Sequence, residues 1–83
     1  MRQVLYFSAG WCSACKGVTP IIEQLVSTKT TPVNQINVDY DVTNVEEYKV
    51  KSVPTIIVLE NGNEIKRYSG AITFNQLQNL ING

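Results

Sequence analysis

Two rhythms of apolar positions run along this 83-residue chain. Gln3 to Phe7 is a short stretch, apolar, aromatic and β-branched in part, that ends at Ser8-Ala9-Gly10, the pattern of a buried strand. From Cys12 the period lengthens: Val18, Ile21, Ile22, Leu25 and Val26 fall at i, i+3, i+4, i+7 and i+8, one face of an amphipathic helix. Gly17 and Pro20 interrupt it. Pro20 lacks an N–H and crowds the preceding turn, so a kink is expected there and not a stop, because the stripe continues beyond it. Ser27 to Thr31 is polar and reads as a loop, and Val33 to Asp39 holds Ile36 and Val38 between turn-prone ends, a second strand. Thr43 and Glu46 fit a capping box that opens a short helix running to Tyr48. Thr55–Leu59 and Ile65–Tyr68 read as a hairpin turned at Asn61-Gly62, a dipeptide that tolerates positive φ. Thr73 and Gln76 form a second capping box, opening a last helix whose Phe74, Leu77, Leu80 and Ile81 face the core.

The order strand, helix, strand, short helix, strand, strand, helix predicts an α/β layer structure. It has four strands: one parallel pair joined by a right-handed crossover, and one hairpin. A chain of this length is expected to form a single domain over residues 1–83. Apolar residues make up 43% and charged residues 17%, which fits a folded soluble domain and not a disordered segment. Seven basic residues balance seven acidic ones, so no basic footprint directs the chain to nucleic acid or to an anionic membrane. The run Val4–Phe7 is too short for a signal-peptide core or a membrane span, and a cytoplasmic location is expected. In such a reducing compartment two close cysteines serve redox or metal chemistry and not as a staple.

Cys12 and Cys15, the only cysteines, sit where the first strand gives way to the helix. With Cys12 in the first helical turn and Cys15 one turn further in, the two thiols are near enough to form and break a disulfide without unfolding anything. The unpaired N–H groups of a helix start favour the thiolate of Cys12, and the thiolate is the nucleophile. Cys15, deeper in the helix, suits the resolving thiol. The competing readings are half of a zinc site and a pair of inert buried thiols. Structural zinc takes four ligands, and the sequence has no histidine and no third cysteine, so only carboxylates remain to complete a site. Trp11 reads equally as a core aromatic and as a contact surface beside the thiols. Lys16 reads first as a solvated helix residue.

Trp11-Cys12-Ser13-Ala14-Cys15-Lys16 resembles the active-site motif of the thioredoxin family, with Pro20 where that family kinks its active-site helix. Tyr48 to Thr55 resembles the segment that carries its cis-proline, here Pro54, and Asn61-Gly62 followed by Tyr68-Ser69-Gly70-Ala71 resembles its hairpin and closing turn. The likeness covers most of the chain and lacks only the strand and helix that precede the motif in full-length members, leaving a thioredoxin fold of glutaredoxin size. It implies a thiol–disulfide oxidoreductase with Cys12 and Cys15 catalytic, and with Trp11, Val53, Pro54 and Gly70 touching substrate. A cis Pro54 would turn the backbone groups of Val53 outward, where an extended substrate segment can pair with them. Gly70 also has the simpler reading of a turn that needs freedom from a Cβ. The expected partners are disulfide-containing proteins and a reductant, either a thioredoxin reductase or glutathione; the expected state is a monomer with no cofactor and no metal. A glutaredoxin-like enzyme reduced by glutathione is the nearest alternative, although Ser69-Gly70-Ala71 lacks that family's Gly-Gly-Asp turn. A thioredoxin-fold binding subunit without redox role is another.

Four positions depart from the family pattern. Tyr6 stands where thioredoxins carry a buried aspartate, and a neutral phenol is a poor base at neutral pH. Gln35 takes the place of the lysine that accompanies that aspartate. Ser13-Ala14 replaces Gly-Pro, and the extra N–H donors in the dipeptide are expected to favour the Cys12 thiolate. That would raise the potential above the roughly −270 mV of thioredoxin.

Overall fold

The computed structural model describes residues 1–83. Its elements are β1 (Arg2–Ser8), α1 (Cys15–Thr28), β2 (Val33–Asn37), α2 (Val42–Glu47), β3 (Thr55–Glu60), β4 (Asn63–Ser69) and α3 (Phe74–Asn82). The strands form one sheet in the order β2-β1-β3-β4; β1 and β2 are parallel, and the β1–β3 and β3–β4 pairs are antiparallel. This is the expected mixed four-stranded thioredoxin fold.

The central strands read as continuous apolar runs because both of their faces are covered. Val4 and Tyr6 of β1, with Ile56 and Val58 of β3, pack against Val18, Ile22 and Leu25 of α1 and Leu77 and Ile81 of α3. The alternate residues Leu5, Phe7, Ile57 and Leu59 point to the other face, with Ile36, where the half-buried Val45 and Tyr48 cover them. Successive side chains of a strand point to opposite faces, so β1 feeds both layers from one run of four.

Local chemistry explains where the elements differ from the sequence expectation. The helix α1 continues through Pro20, as its stripe predicted, but Val26 is 41% exposed. At 3.6 residues per turn Val26 lies about 80° round the helix from Val18, at the edge of the stripe. The second strand ends at Asn37 and not at Asp39, because Asn37 accepts from Tyr40 and Asp41 N–H and turns the chain. The cap of α2 is Asp41, not Thr43: its Oδ1 accepts from Asn44 N–H at 3.2 Å and its Oδ2 from Asn44 Nδ2 at 2.7 Å. The hairpin turn is only two residues long. Asn61 and Gly62 have φ of 52° and 87°, so Asn63 pairs directly with Glu60 and β4 begins two residues before Ile65. The final helix keeps its predicted capping box, with Thr73 Oγ1 accepting from Gln76 N–H and Gln76 Oε1 from Thr73 N–H. No helix is long and apolar enough to cross a membrane.

Candidate active site

The loop from Ala9 to Ala14 carries the chain from β1 into α1. Gly10 and Trp11 form a turn that Cys12 N–H closes by donating to Ala9 O at 3.2 Å. Cys12 and Cys15 are joined as a disulfide with Cα atoms 5.3 Å apart, a separation the bond accepts without backbone movement. Against the expectation of a shared helix, Cys12 lies in the turn before α1 and Cys15 is the first residue of the helix. The reason is Ala14. At the N-cap position it has no side-chain oxygen to hold the first turn, and Cys12 Sγ takes that place, accepting from Cys15 N–H at 3.1 Å. The donor is thus a free amide of the helix start, where positive potential concentrates and no acidic side chain opposes it. It does not belong to Ser13-Ala14 as the sequence suggested, and a Gly-Pro dipeptide would leave the same Cys15 amide available.

Cys12 is 6% and Cys15 3% exposed, packed with Ala9 and against the half-buried Val38 and Val53. Val53 arrives from the loop before β3, where its bond to Pro54 is cis. Neither the N–H nor the C=O of Val53 has a hydrogen-bond partner within the chain. The loop around it is pinned on both sides. Thr55 Oγ1 donates to Ser52 O at 2.7 Å and contacts Ser69 Oγ at 3.1 Å, and Gly70 N–H donates to Pro54 O at 3.0 Å. Gly70 has φ of 104°, a left-handed conformation that favours glycine, while a Cβ added there would meet nothing within 4 Å. The turn, not crowding, calls for a glycine at that position.

Trp11 is 68% exposed and stands at the rim, its Nε1 donating to Asp39 Oδ1 at 3.2 Å. It shares with Val38, Val45, Val50 and Val53 an apolar cavity of about 210 Å³. A second cavity of about 320 Å³ lies on the other side of the disulfide, lined by Ser8, Cys12, Cys15, Lys16 and Thr19 among others. Under this second cavity Tyr6 is fully buried, and Gln35 is its neighbour on β2. Burial pushes the Tyr6 hydroxyl above its ordinary value, against smaller opposing effects of hydrogen bonds to Thr19 and Ser8. It therefore stays protonated at neutral pH.

The site is a disulfide at a helix start, flanked by a loop with the cis Val53–Pro54 bond and by an exposed tryptophan. The thioredoxin family model matches residues 1–83. The chain belongs to the thioredoxin family. It is 39% identical over 77 residues to thioredoxin of Chlamydia pneumoniae, covering 92% of this chain and 76% of that protein. It is also 38% identical over 68 residues to the bifunctional thioredoxin reductase/thioredoxin of Mycobacterium leprae, covering 78% of this chain and 15% of that protein. Among solved structures, Fasciola hepatica thioredoxin superposes with a TM-score of 0.89 at 28% identity, covering 98% of this chain and 78% of that one. With its redox pair in place, this thioredoxin-family chain is a dithiol–disulfide oxidoreductase. Sequence reasoning missed three side chains around the pair: Asp39 on the indole, Thr55 beneath the loop, and Thr19 beside Cys15. Of these only Thr19 left a signal, its position four residues after Cys15 on the helix.

Proposed function

We propose that this chain reduces protein disulfides with Cys12 as attacking and Cys15 as resolving thiol. The observation that carries the reading is the helix-start amide donated to Cys12 Sγ and not to Cys15. A hydrogen bond to sulfur favours the thiolate, so in the reduced state Cys12 is the better nucleophile. It attacks a substrate disulfide, forming a mixed disulfide and releasing one substrate thiolate. The Cys15 thiolate then attacks Cys12 Sγ, the Cys12–substrate bond breaks, and the second substrate thiolate leaves; two electrons pass from the dithiol to the substrate.

Substrate binds across Trp11, Val53, Pro54 and Gly70. The free N–H and C=O of Val53 pair with an extended substrate segment as an added strand, and Gly70 contributes by holding the Pro54 carbonyl and shaping the rim. An apolar substrate side chain enters the cavity between Trp11 and Val50. A thioredoxin reductase regenerates the dithiol, a reading supported by the relative in which both activities share one name. The chain works as a single-domain monomer carrying electrons in the cytoplasm.

Cys15→Ser tests the assignment directly: substrates accumulate as mixed disulfides on Cys12 and are released by a reducing agent. Recovery of no trapped partner under non-reducing conditions overturns it. Turnover with thioredoxin reductase, compared with turnover by glutathione and its reductase, identifies the electron donor.

A further inference from the structure

The first turn of a helix is its most weakly held part, because its N–H groups have no partners within the helix. Here that turn carries the resolving thiol. Its Cys15 carbonyl accepts from the Tyr6 hydroxyl at 3.3 Å, and the same hydroxyl is 2.8 Å from Thr19 Oγ1. In an α-helix the carbonyl of Cys15 also receives the N–H of Thr19, so the phenol uses its second lone pair. Tyr6 is anchored by β1 and enclosed by Val18, Ile22 and Ile56. Thr19 is half-buried and lines the cavity beside the disulfide. The two hydroxyls thus tie the first turn of α1 to the centre of the sheet at the residue whose sulfur must reach Cys12. The phenol has one proton, spent on Cys15 O, so the Thr19 hydroxyl donates to the phenol oxygen.

We propose that Tyr6 and Thr19 are positioning residues for the resolving step. This rests on the assignment of Cys12 as attacker and Cys15 as resolver. While a mixed disulfide pulls on Cys12, the tie holds Cys15 Sγ at attacking distance and in line with the Cys12–substrate bond. Small displacements of a reacting atom are costly, so loosening this turn slows the second attack far more than the first, which feels it only through the Cys15 N–H on Cys12 Sγ. Tyr6 acts as a hydrogen-bond donor and does not take up the thiol proton.

The two attacks separate with an excess of a nitrobenzoate disulfide reagent, which releases a coloured thiolate at each step. The first release forms the mixed disulfide on Cys12 and depends on reagent concentration. The second comes from Cys15 and does not. The ratio of the variant to the unmodified second-phase rate is read at several pH values, because a positioning role leaves that ratio unchanged with pH and a proton-transfer role does not. Tyr6→Phe and Thr19→Val are expected to slow the second phase about threefold to tenfold, the loss of a hydrogen bond's worth of positioning, with the first phase within about twofold. Thr19→Ser, which keeps the hydroxyl, is expected to retain the original rate. An unchanged second phase in both hydroxyl-free variants overturns the proposal. So does equal slowing of both phases, or a Thr19→Ser variant as slow as Thr19→Val. A product that keeps nitrobenzoate on its cysteines, with no Cys12–Cys15 disulfide formed, would instead remove the role assignment itself, and this proposal with it.

Discussion

The two faces of the sheet are built from the same strands and end up with different jobs. On the α1 and α3 side, ten buried side chains interlock, and helices close over them from both ends of the chain. On the α2 side only five are fully buried. The rest of that face is the half-buried rim of Val38, Val45, Tyr48, Val50 and Val53, which opens into the cavity beside Trp11. A single turn-and-a-half of helix cannot cover a face that two longer helices cover opposite. The uncovered part is the surface next to the disulfide. The closed face therefore supplies most of the stability, and the open face keeps apolar groups accessible to a partner.

The largest expected effect lies on the closed face. Leu25→Ala leaves a cavity between α1 and the sheet, and a loss of about 2–5 kcal/mol is expected on denaturant unfolding. Val50→Ala, on the open rim, is expected to cost only about 1 kcal/mol, because part of that side chain already meets water. Equal costs at the two sites would erase the contrast between the faces.

Function should separate in the opposite direction. Trp11→Ala is expected to raise KM for a protein disulfide about tenfold, the magnitude of one aromatic anchor at a contact surface, with far less change toward a small aromatic disulfide. Steady-state kinetics with both substrates check it, and an equal loss on the two would show that the indole acts on the thiols and not on docking.

The helix caps give a finer comparison. Thr73→Ala removes the capping box of α3 and is expected to cost about 1 kcal/mol of global stability. Asp41→Ala uncaps α2 on the open face, and hydrogen exchange is expected to show its effect first as local opening of residues 42–47. Global unfolding with identical exchange patterns in both variants would mean that the two faces unfold as one unit.

The smallest effect concerns acid. Glu64 holds Arg67, whose Nη2 also donates to Tyr48 O at the end of α2, and the Arg67 hydrogen bond lowers the Glu64 carboxyl below its ordinary value. A carboxylate with a lowered folded value stabilises the fold above the unfolded value. That contribution disappears as pH falls through the folded one. The pair is largely solvated, so a few tenths of a kcal/mol are expected, lost on the acid side of the ordinary value of 4.5. Glu64→Gln is expected to remove this slope from urea titrations between neutral pH and acid; an unchanged slope would mean that Arg67 holds α2 without help.

Much of this was written in the chain. The run Val4–Phe7, the stripe from Val18 to Leu25, Asn61-Gly62 and the Thr73–Gln76 box each specify their element through near-neighbour geometry, and the C-x-x-C spacing with Trp11 marked the redox pair. Such features are legible because the atoms that decide them lie within a few residues of one another. The misjudged points were those in which a competing local acceptor won: Asp41 over Thr43 as cap, and Cys12 Sγ over a helical start at Cys12. What only the tertiary structure decided came from long-range pairing. The parallel register of β1 on β2 set Gln35 beside Tyr6, and the fold of β1 under α1 joined the Tyr6 hydroxyl to Cys15 and Thr19. The meeting of the Val53 loop with Cys12 and Cys15 was likewise settled by packing. No periodicity encodes which residues fifteen or forty positions apart will touch, because that depends on how both faces of one sheet are filled at once.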